Sequence, residues 1–229
     1  MNAIIGHTGF VGSILKKSVV GDCFNRDNIK DILNNSYDTI YCSGLSSVKW
    51  WANKNANEDS KNINNLLEVV RNVNCDKFIL ISTISIYDNE PYGINRKKFE
   101  DDLNKIFGNK LIIVRLPAVY GDGLKKNLLF DMLNNSILSE INIKDKYQWY
   151  NVNNIKFDID NFLETGENVV EFFPEPITNE QLISLFSKNF KIIDNDENSY
   201  IQNKIPKNGY LYSSDKVMKE LKEFIDGYC

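Results

Sequence analysis

Six residues from the start of the chain, an apolar run, Ala3-Ile4-Ile5, meets Gly6-His7-Thr8-Gly9-Phe10-Val11-Gly12. A stretch follows whose apolar residues Val11, Ile14, Leu15 and Val19 share one helical face. A buried strand, a turn spaced GxxGxxG and a helix in direct succession leave few folds open, because each glycine has its own steric task. Gly6 permits the sharp turn, Gly9 lets a pyrophosphate approach the backbone, and Gly12 lets the helix pack closely on the strand. The first helical amides have no partner inside the helix and are available to an anion. Gly6, Thr8, Gly9, Phe10, Val11 and Gly12 are therefore expected to cradle a dinucleotide, the other reading being a plain tight turn.

The pattern beyond the turn agrees. Short apolar runs alternate with amphipathic stretches as far as residue 120, which predicts a doubly wound parallel sheet of Rossmann type, an α/β fold. Strands are expected at Asp22 to Asn25, Asp38 to Cys42, Lys77 to Ser82 and Lys110 to Arg115; the last two are continuously apolar, as central parallel strands are. Helices are expected at Phe10 to Val19, Asn28 to Asn35, Glu58 to Asn72 and Tyr92 to Ile106. Farther on the alternation fails, and helices are expected at Leu124 to Asn134, Asn179 to Lys188 and Ser214 to Phe224. The organisation predicted is a dinucleotide-binding domain over 1–120, completed by about 148–175, with a small substrate lobe from 121–147 and 176–229.

Composition removes several alternatives. With 27 Lys and Arg against 31 Asp and Glu in 229 residues, the net charge is −4, which argues against sequence-independent nucleic-acid binding. No stretch approaches the roughly 18 apolar residues of a membrane span. The start lacks the basic and apolar regions of a secretory leader, so a cytoplasmic protein is expected. Cys23, Cys42, Cys75 and Cys229 are widely spaced and His7 is the single histidine, so no metal site and inert thiols are expected.

The second strand should end with a group that reads the adenosine ribose, roughly 20 residues after the turn. Arg26 and Asp27 stand there; Arg26 suits a 2′-phosphate and Asp27 a free hydroxyl, so NADP is favoured with NAD as the alternative. The segments that follow the other strands, Ser43-Gly44-Leu45 and Leu116-Pro117, are expected along the same edge against the cofactor. Thr83 closes the KFILIS strand and Tyr92 opens the next helix, with Arg96 one turn on and on nearly the same face. Ser85, Gln148 and Tyr150 are candidate substrate contacts, although the Gln148-Trp149-Tyr150 cluster also suits a seam between lobes. Trp50 and Trp51 cannot share one core face, so one is expected to be exposed.

At these residues the chain resembles the extended short-chain dehydrogenases/reductases of the NAD-dependent epimerase/dehydratase group. GHTGFVG matches that family's first βα turn and is close to the opening of GDP-fucose synthase-type epimerase/reductases. Ser82 to Tyr87 resembles the SSxxVY segment, Pro91-Tyr92-Gly93 through Arg96 and Glu100 the PYGxxKxxxE helix, and Arg115 to Gly121 the RPxNVYG segment. Tyr150 to Ile155 is similar to YVDDV, Pro176 to Leu182 to the start of a TxxEL helix, and Ser214-Asp215-Lys216 through Leu221 to the closing DxxKxxxxLG helix.

The resemblance implies hydride transfer coupled to proton transfer on a nucleotide-activated sugar, by an epimerase, dehydratase or 4-keto reductase. Tyr92 would be the acid/base, its phenol lowered from about 10 by the neighbouring cation, Thr83 would bind the same substrate oxygen, and Arg96 would take the lysine's place. A homodimer through the helices at 58–71 and 92–106 is the corresponding expectation for assembly. Five features depart from the family, among them Ala118 where an asparagine is common and an abbreviated stretch between Gly123 and Tyr147. Arg96 replaces the lysine, and Lys97 lies about 100° around the helix and cannot stand in for it. Asp59 stands where an asparagine is usual, and only nine positions separate Thr83 from Tyr92. Arg96 and the shortened loops motivate a second reading, a cofactor-binding sensor or assembly protein that has lost catalysis.

Overall fold

The computed structural model describes residues 1–137 and 139–228. In chain order the elements are β1 (Asn2–Ile5), α1 (Phe10–Ser18), β2 (Gly21–Phe24), β3 (Ser36–Cys42), α2 (Lys49–Lys54), α3 (Ala56–Val70), β4 (Asn74–Thr83), α4 (Pro91–Phe107) and β5 (Leu111–Leu116). They continue with β6 (Ala118–Tyr120), α5 (Leu128–Leu133), β7 (Ile141–Asn142), β8 (Lys146–Tyr147), β9 (Trp149–Asn151), α6 (Ile155–Leu163) and β10 (Val169–Glu171). The last are β11 (Ile177–Thr178), α7 (Asn179–Ser184), β12 (Ile192–Ile193) and α8 (Ser214–Asp226). Two compact units result, Met1–Leu116 with Asn154–Val170, and Pro117–Asn153 with the residues from Glu171 on. The segment that returns to the first unit is thus shorter than 148–175. Residues 149–151 leave it because β9 pairs with β6 inside the second unit.

The first unit is a six-stranded sheet ordered β10-β5-β4-β3-β1-β2, with the pairs from β2 to β5 parallel. Parallel neighbours joined by right-handed crossovers put the β1–β2 helix on one face and the β3–β4 and β4–β5 helices on the other. Side chains alternate accordingly. Ile5, Cys42, Leu80 and Ile113 are buried in one cluster with Ile63 and Leu67 of α3 and Phe99 and Leu103 of α4. Their neighbours Ile4, Tyr41, Ile79 and Ile112 are also buried, on the opposite side. The chain leaves β1 toward β2 and crosses back to β3, so the strand order reverses between β1 and β3; ligands of doubly wound sheets bind at the carboxyl end of that crevice.

The second unit is held by short pairings: β6 with β9, β8 with β11, and β7 with β12. Tyr120, Trp149, Tyr150, Phe172 and Phe173 form its interior, and α8 adds Val217 and Leu221. The helix expected over 124–134 shrinks to Leu128–Leu133, because Gly121, Gly123 and Asn127 adopt positive φ; Asn127 Oδ1 then caps the helix at Phe130 N, 3.0 Å away. The Asn28 to Asn35 segment is a 3-10 turn at Ile29–Asn34, and α7 ends at Ser184. Helix α2 was not expected; it carries the tryptophan pair, with Trp50 65% exposed and Trp51 half-buried.

Cys42 and Cys75 are buried, and burial pushes both thiols up to about 11; Cys23 is half-buried, and Cys229 lies outside the described residues. Among the described residues no helix is long and apolar enough to cross a membrane, and no group of three or more His, Cys, Asp or Glu is placed to hold a metal.

Candidate active site

The glycine turn is closed by backbone contacts. Gly6 N–H donates to Phe24 O at 2.8 Å, Gly9 N–H to Gly6 O at 2.9 Å, and Ser13 N–H to Gly9 O at 2.8 Å. Gly6 has φ +83°, and a Cβ on it would come within 2.7 Å of Gly44 Cα; a Cβ on Gly12 would sit 2.1 Å from Gly6 O. No L-residue with a side chain fits either place without displacing backbone. Gly9 is exposed, with φ −77°, and no side chain caps α1. The helix thus opens without a side-chain cap, beside exposed Thr8 and half-buried Phe10 and Val11, and uncapped first-turn amides are available to an anion.

The loop after β3 completes this edge. Ser43 donates both its N–H and its hydroxyl to Ile5 O, at 2.9 and 3.1 Å, which sets exposed Gly44 against Gly6. Leu45 packs on the core, and Leu116 pairs with Thr83 in the β4–β5 register. Pro117 is buried and begins the second unit. Arg26 and Asp27 are both exposed, two and three residues beyond β2.

At the end of β4 the Thr83 hydroxyl bonds to the Tyr92 phenol and accepts the Ser85 N–H at 3.2 Å. Ser85 is itself buried beneath the start of α4, where it holds Thr83. Tyr92 is buried, and its N–H donates to Asn53 Oδ1 of α2 at 2.9 Å. One turn on, the Arg96 guanidinium lies under the phenol ring with Cζ 3.9 Å from the centroid. Arg96 is 3% exposed and Asp59 of α3 is 2% exposed, and they form a two-pronged ion pair: Nη1 to Oδ2, and Nη2 to Oδ1 at 3.0 Å. Nη2 also donates to Ser46 O at 2.6 Å and Nη1 to Tyr92 O at 3.4 Å, leaving Nε as the buried donor without a partner among the described residues. Asn95 donates to the same carboxylate at 2.8 Å.

This arrangement corrects one expectation and completes another. The Tyr92 phenol is raised above its ordinary value, not lowered, because burial outweighs the pull of Arg96 and of the Thr83 hydrogen bond, and Asp59 opposes Arg96. Asp59 belongs to the site although no role for it was drawn from the sequence. The signal was present, since an acid stands where the resembled family has an amide and a guanidinium where it has an amine. Lys97, as its helical angle requires, is exposed and pairs with Asp101.

Arg115, at the end of β5, bonds to buried Glu100 at 2.8 Å and to the Tyr87 hydroxyl at 3.0 Å, and Ser82 donates to Glu100 at 2.6 Å. Glu100 thereby ties α4 to the ends of β4 and β5 through Ser82 and Arg115.

Gln148 and Tyr150, expected to meet substrate, lie inside the second unit. Gln148 is fully buried, donating to Pro174 O at 2.8 Å and Lys204 O at 2.9 Å and accepting from Lys204 N at 2.9 Å. Tyr150 is fully buried with its ring 5.7 Å from Phe172. Both hold that unit together, Gln148 by supplying buried backbone with the hydrogen bonds it needs.

No family model matches the sequence, and no curated protein matches it. Solved structures do match across the chain. A dTDP-4-dehydrorhamnose reductase from Clostridium acetobutylicum is similar with a TM-score of 0.75 at 14% identity, covering 99% of each chain. The Bacillus anthracis dTDP-4-dehydrorhamnose reductase, solved in complex with NADP, gives 0.72 at 15% identity and 99% of each chain. The UDP-glucose 4-epimerase of Thermotoga maritima, solved with UDP-glucose, gives 0.69 at 15% identity, covering 99% of this chain and 98% of that one. The Rossmann-type fold expected from the motifs is the fold of this chain, and it is shared with these sugar-nucleotide reductases and epimerases.

Proposed function

We propose that this chain is an oxidoreductase that uses NADP, or alternatively NAD, to act on a nucleotide-activated sugar, as a 4-keto reductase or epimerase/reductase. The observation that supports it most is the joining of half-buried Thr83 with buried Tyr92 and Arg96 in one cluster, beside a loop that packs on an uncapped glycine turn. The turn fits a dinucleotide diphosphate: Gly6 and Gly12 leave no room for side chains, and the first amides of α1 are open. Gly6 through Gly12 would hold the diphosphate, Arg26 a 2′-phosphate, and Ser43 to Leu45 with Leu116 and Pro117 the nicotinamide end. The cofactor, when bound, supplies hydride chemistry.

The remaining chemistry belongs to the chain. Tyr92 moves the proton at the sugar oxygen, Thr83 orients that oxygen by its hydroxyl, and Ser85 keeps Thr83 in place. Arg96 contributes charge under the ring, and Nε is the single donor it has left for a ribose hydroxyl. The cytoplasm, and a homodimer through the faces of α3 and α4, belong to the same proposal; Ile94, 55% exposed on α4, is an apolar group on that surface.

Turnover of a 4-keto sugar nucleotide, followed by loss of reduced-nicotinamide absorbance, tests the reading. Tyr92→Phe is expected to lower the rate by about 10²–10⁴-fold while the thermal shift given by the dinucleotide persists. The commitment of Arg96 to Asp59 favours a second reading, a dinucleotide-binding sensor, which predicts that thermal shift with no turnover in wild type or Arg96→Lys. Mass spectrometry of nucleotides carried through purification decides between NADP and NAD.

A further inference from the structure

The charges around Tyr92 can be followed element by element. On α4 itself, Arg96 lies under the ring, and Glu100, one turn farther, is held by Arg115 at 2.8 Å. From α3, Asp59 meets the guanidinium with both carboxylate oxygens. From α2 come the neutral amide of Asn53 and Lys49, which is paired with Asp88 at 2.9 Å and Glu90 at 2.8 Å. From β4 and the turn after it come the hydroxyls of Thr83 and Ser85. Beneath the phenol there is thus one cation and one anion, each with a side chain 3% exposed, where little solvent screens them. A lone cation would draw the proton off the phenol; a carboxylate locked face to face with that cation opposes part of its pull.

We propose that Asp59, by offsetting the charge of Arg96 beneath the Tyr92 ring, sets this site for reduction of a carbonyl, with Tyr92 entering the reaction as proton donor. The proposal rests on the oxidoreductase reading above. In that direction the C=O π bond breaks, the carbon gains a C–H bond by hydride from a reduced nicotinamide dinucleotide, and the oxygen gains the phenolic proton. The carbonyl is reduced and the dinucleotide oxidised, and the Tyr92 phenolate recovers a proton from water. The reverse reaction must begin with phenolate, the form that a buried surround of zero net charge disfavours. Burial raises the phenol in the same sense. Asp59 acts through Arg96 and is a positioning residue.

The test is a near-ultraviolet tyrosinate titration of cofactor-free protein, subtracting the same variant carrying Tyr92→Phe. In Asp59→Asn the cation is uncompensated, and Tyr92 is expected to ionise about one pH unit or more below its wild-type midpoint. The double variant Asp59→Asn/Arg96→Gln, neutral again, is expected to return toward wild type. Should Asp59→Asn fail to fold, Asp59→Asn/Arg96→Lys presents the same uncompensated charge and is expected to match it. With substrate, the alkaline limb of carbonyl reduction in the charged variants should move down by the same amount, and alcohol oxidation at neutral pH should gain on reduction. An unchanged or higher midpoint in the uncompensated variants, or a neutral double variant as acidic as they are, overturns the proposal. The titration needs neither cofactor nor substrate, so the expected shift without turnover of any keto sugar removes the enzyme reading, and the reaction direction with it, while the action of Asp59 on Tyr92 through Arg96 stands.

Discussion

Between Gly6 and Gly12 the structure is fixed by atoms that are missing, and around Tyr92 by atoms that are present. The turn works because three side chains are absent: backbone touches backbone at Gly6 and Gly12, and Gly9 leaves the helix start open. The tyrosine cluster works because side chains from α2, α3, β4 and α4 converge, with Asp59 37 residues and Ser46 50 residues away from Arg96. The first kind of site is written in a few consecutive residues. The second is a long-range agreement, in which a change at one position requires a change at its partner, and this contrast governs what each region tolerates.

The largest effect is expected from breaking the agreement on one side. Arg96→Ala leaves a buried carboxylate without its cation and should cost about 3–5 kcal/mol of stability by urea unfolding. The neutral pair Asp59→Asn/Arg96→Gln should cost less than half as much. If the two cost the same, the cluster is a set of independent contacts and the contrast with the turn fails.

The turn is probed by adding atoms. Gly12→Ala drives a methyl into Gly6 O and should cost about 1–3 kcal/mol and abolish the thermal shift with dinucleotide. Gly9→Ala places its methyl 3.3 Å from Gly6 O on an exposed surface; it should cost under about 1 kcal/mol yet still weaken dinucleotide binding. A Gly9→Ala protein that binds as wild type would show that the backbone there does not meet the ligand.

The smallest effect concerns alkaline pH. The Tyr92 phenol is raised on folding, so the native state keeps a proton that the unfolded chain releases above pH 10. The stability tied to that proton is fully present below pH 10 and is lost as pH rises through the native value. Tyr92→Phe should therefore flatten the fall of the urea midpoint above pH 10, whereas Gly12→Ala should leave that slope unchanged.

The same contrast explains what could be read from the chain. Strands β1 to β5 and helices α1, α3 and α4 were legible because each buries a periodic set of apolar residues, and the glycine turn because its constraint is local. The shortened helix at Leu128–Leu133 was not, since apolar spacing is silent about the positive φ of Asn127. Gln148 and Tyr150 looked like a sugar platform because polar and aromatic groups adjoin there. Which of them faces a ligand depends on β9 pairing with β6 and on the backbone at Pro174 and Lys204, far away in sequence. The Asp59–Arg96 pair was visible only as two separate departures from a resembled pattern; α3 against α4 joins them.

Helix α2 gives the molecule a built-in optical gauge. Trp149 is buried and Trp51 half-buried, whereas Trp50 stands in water with the Lys54 ammonium 5.8 Å from its ring, on the six-residue helix whose Asn53 grips the start of α4. Its red-shifted emission can be quenched selectively by small ions. Any rearrangement that loosens the anchor of Tyr92 would thus register as light from an unmodified residue, with no label attached.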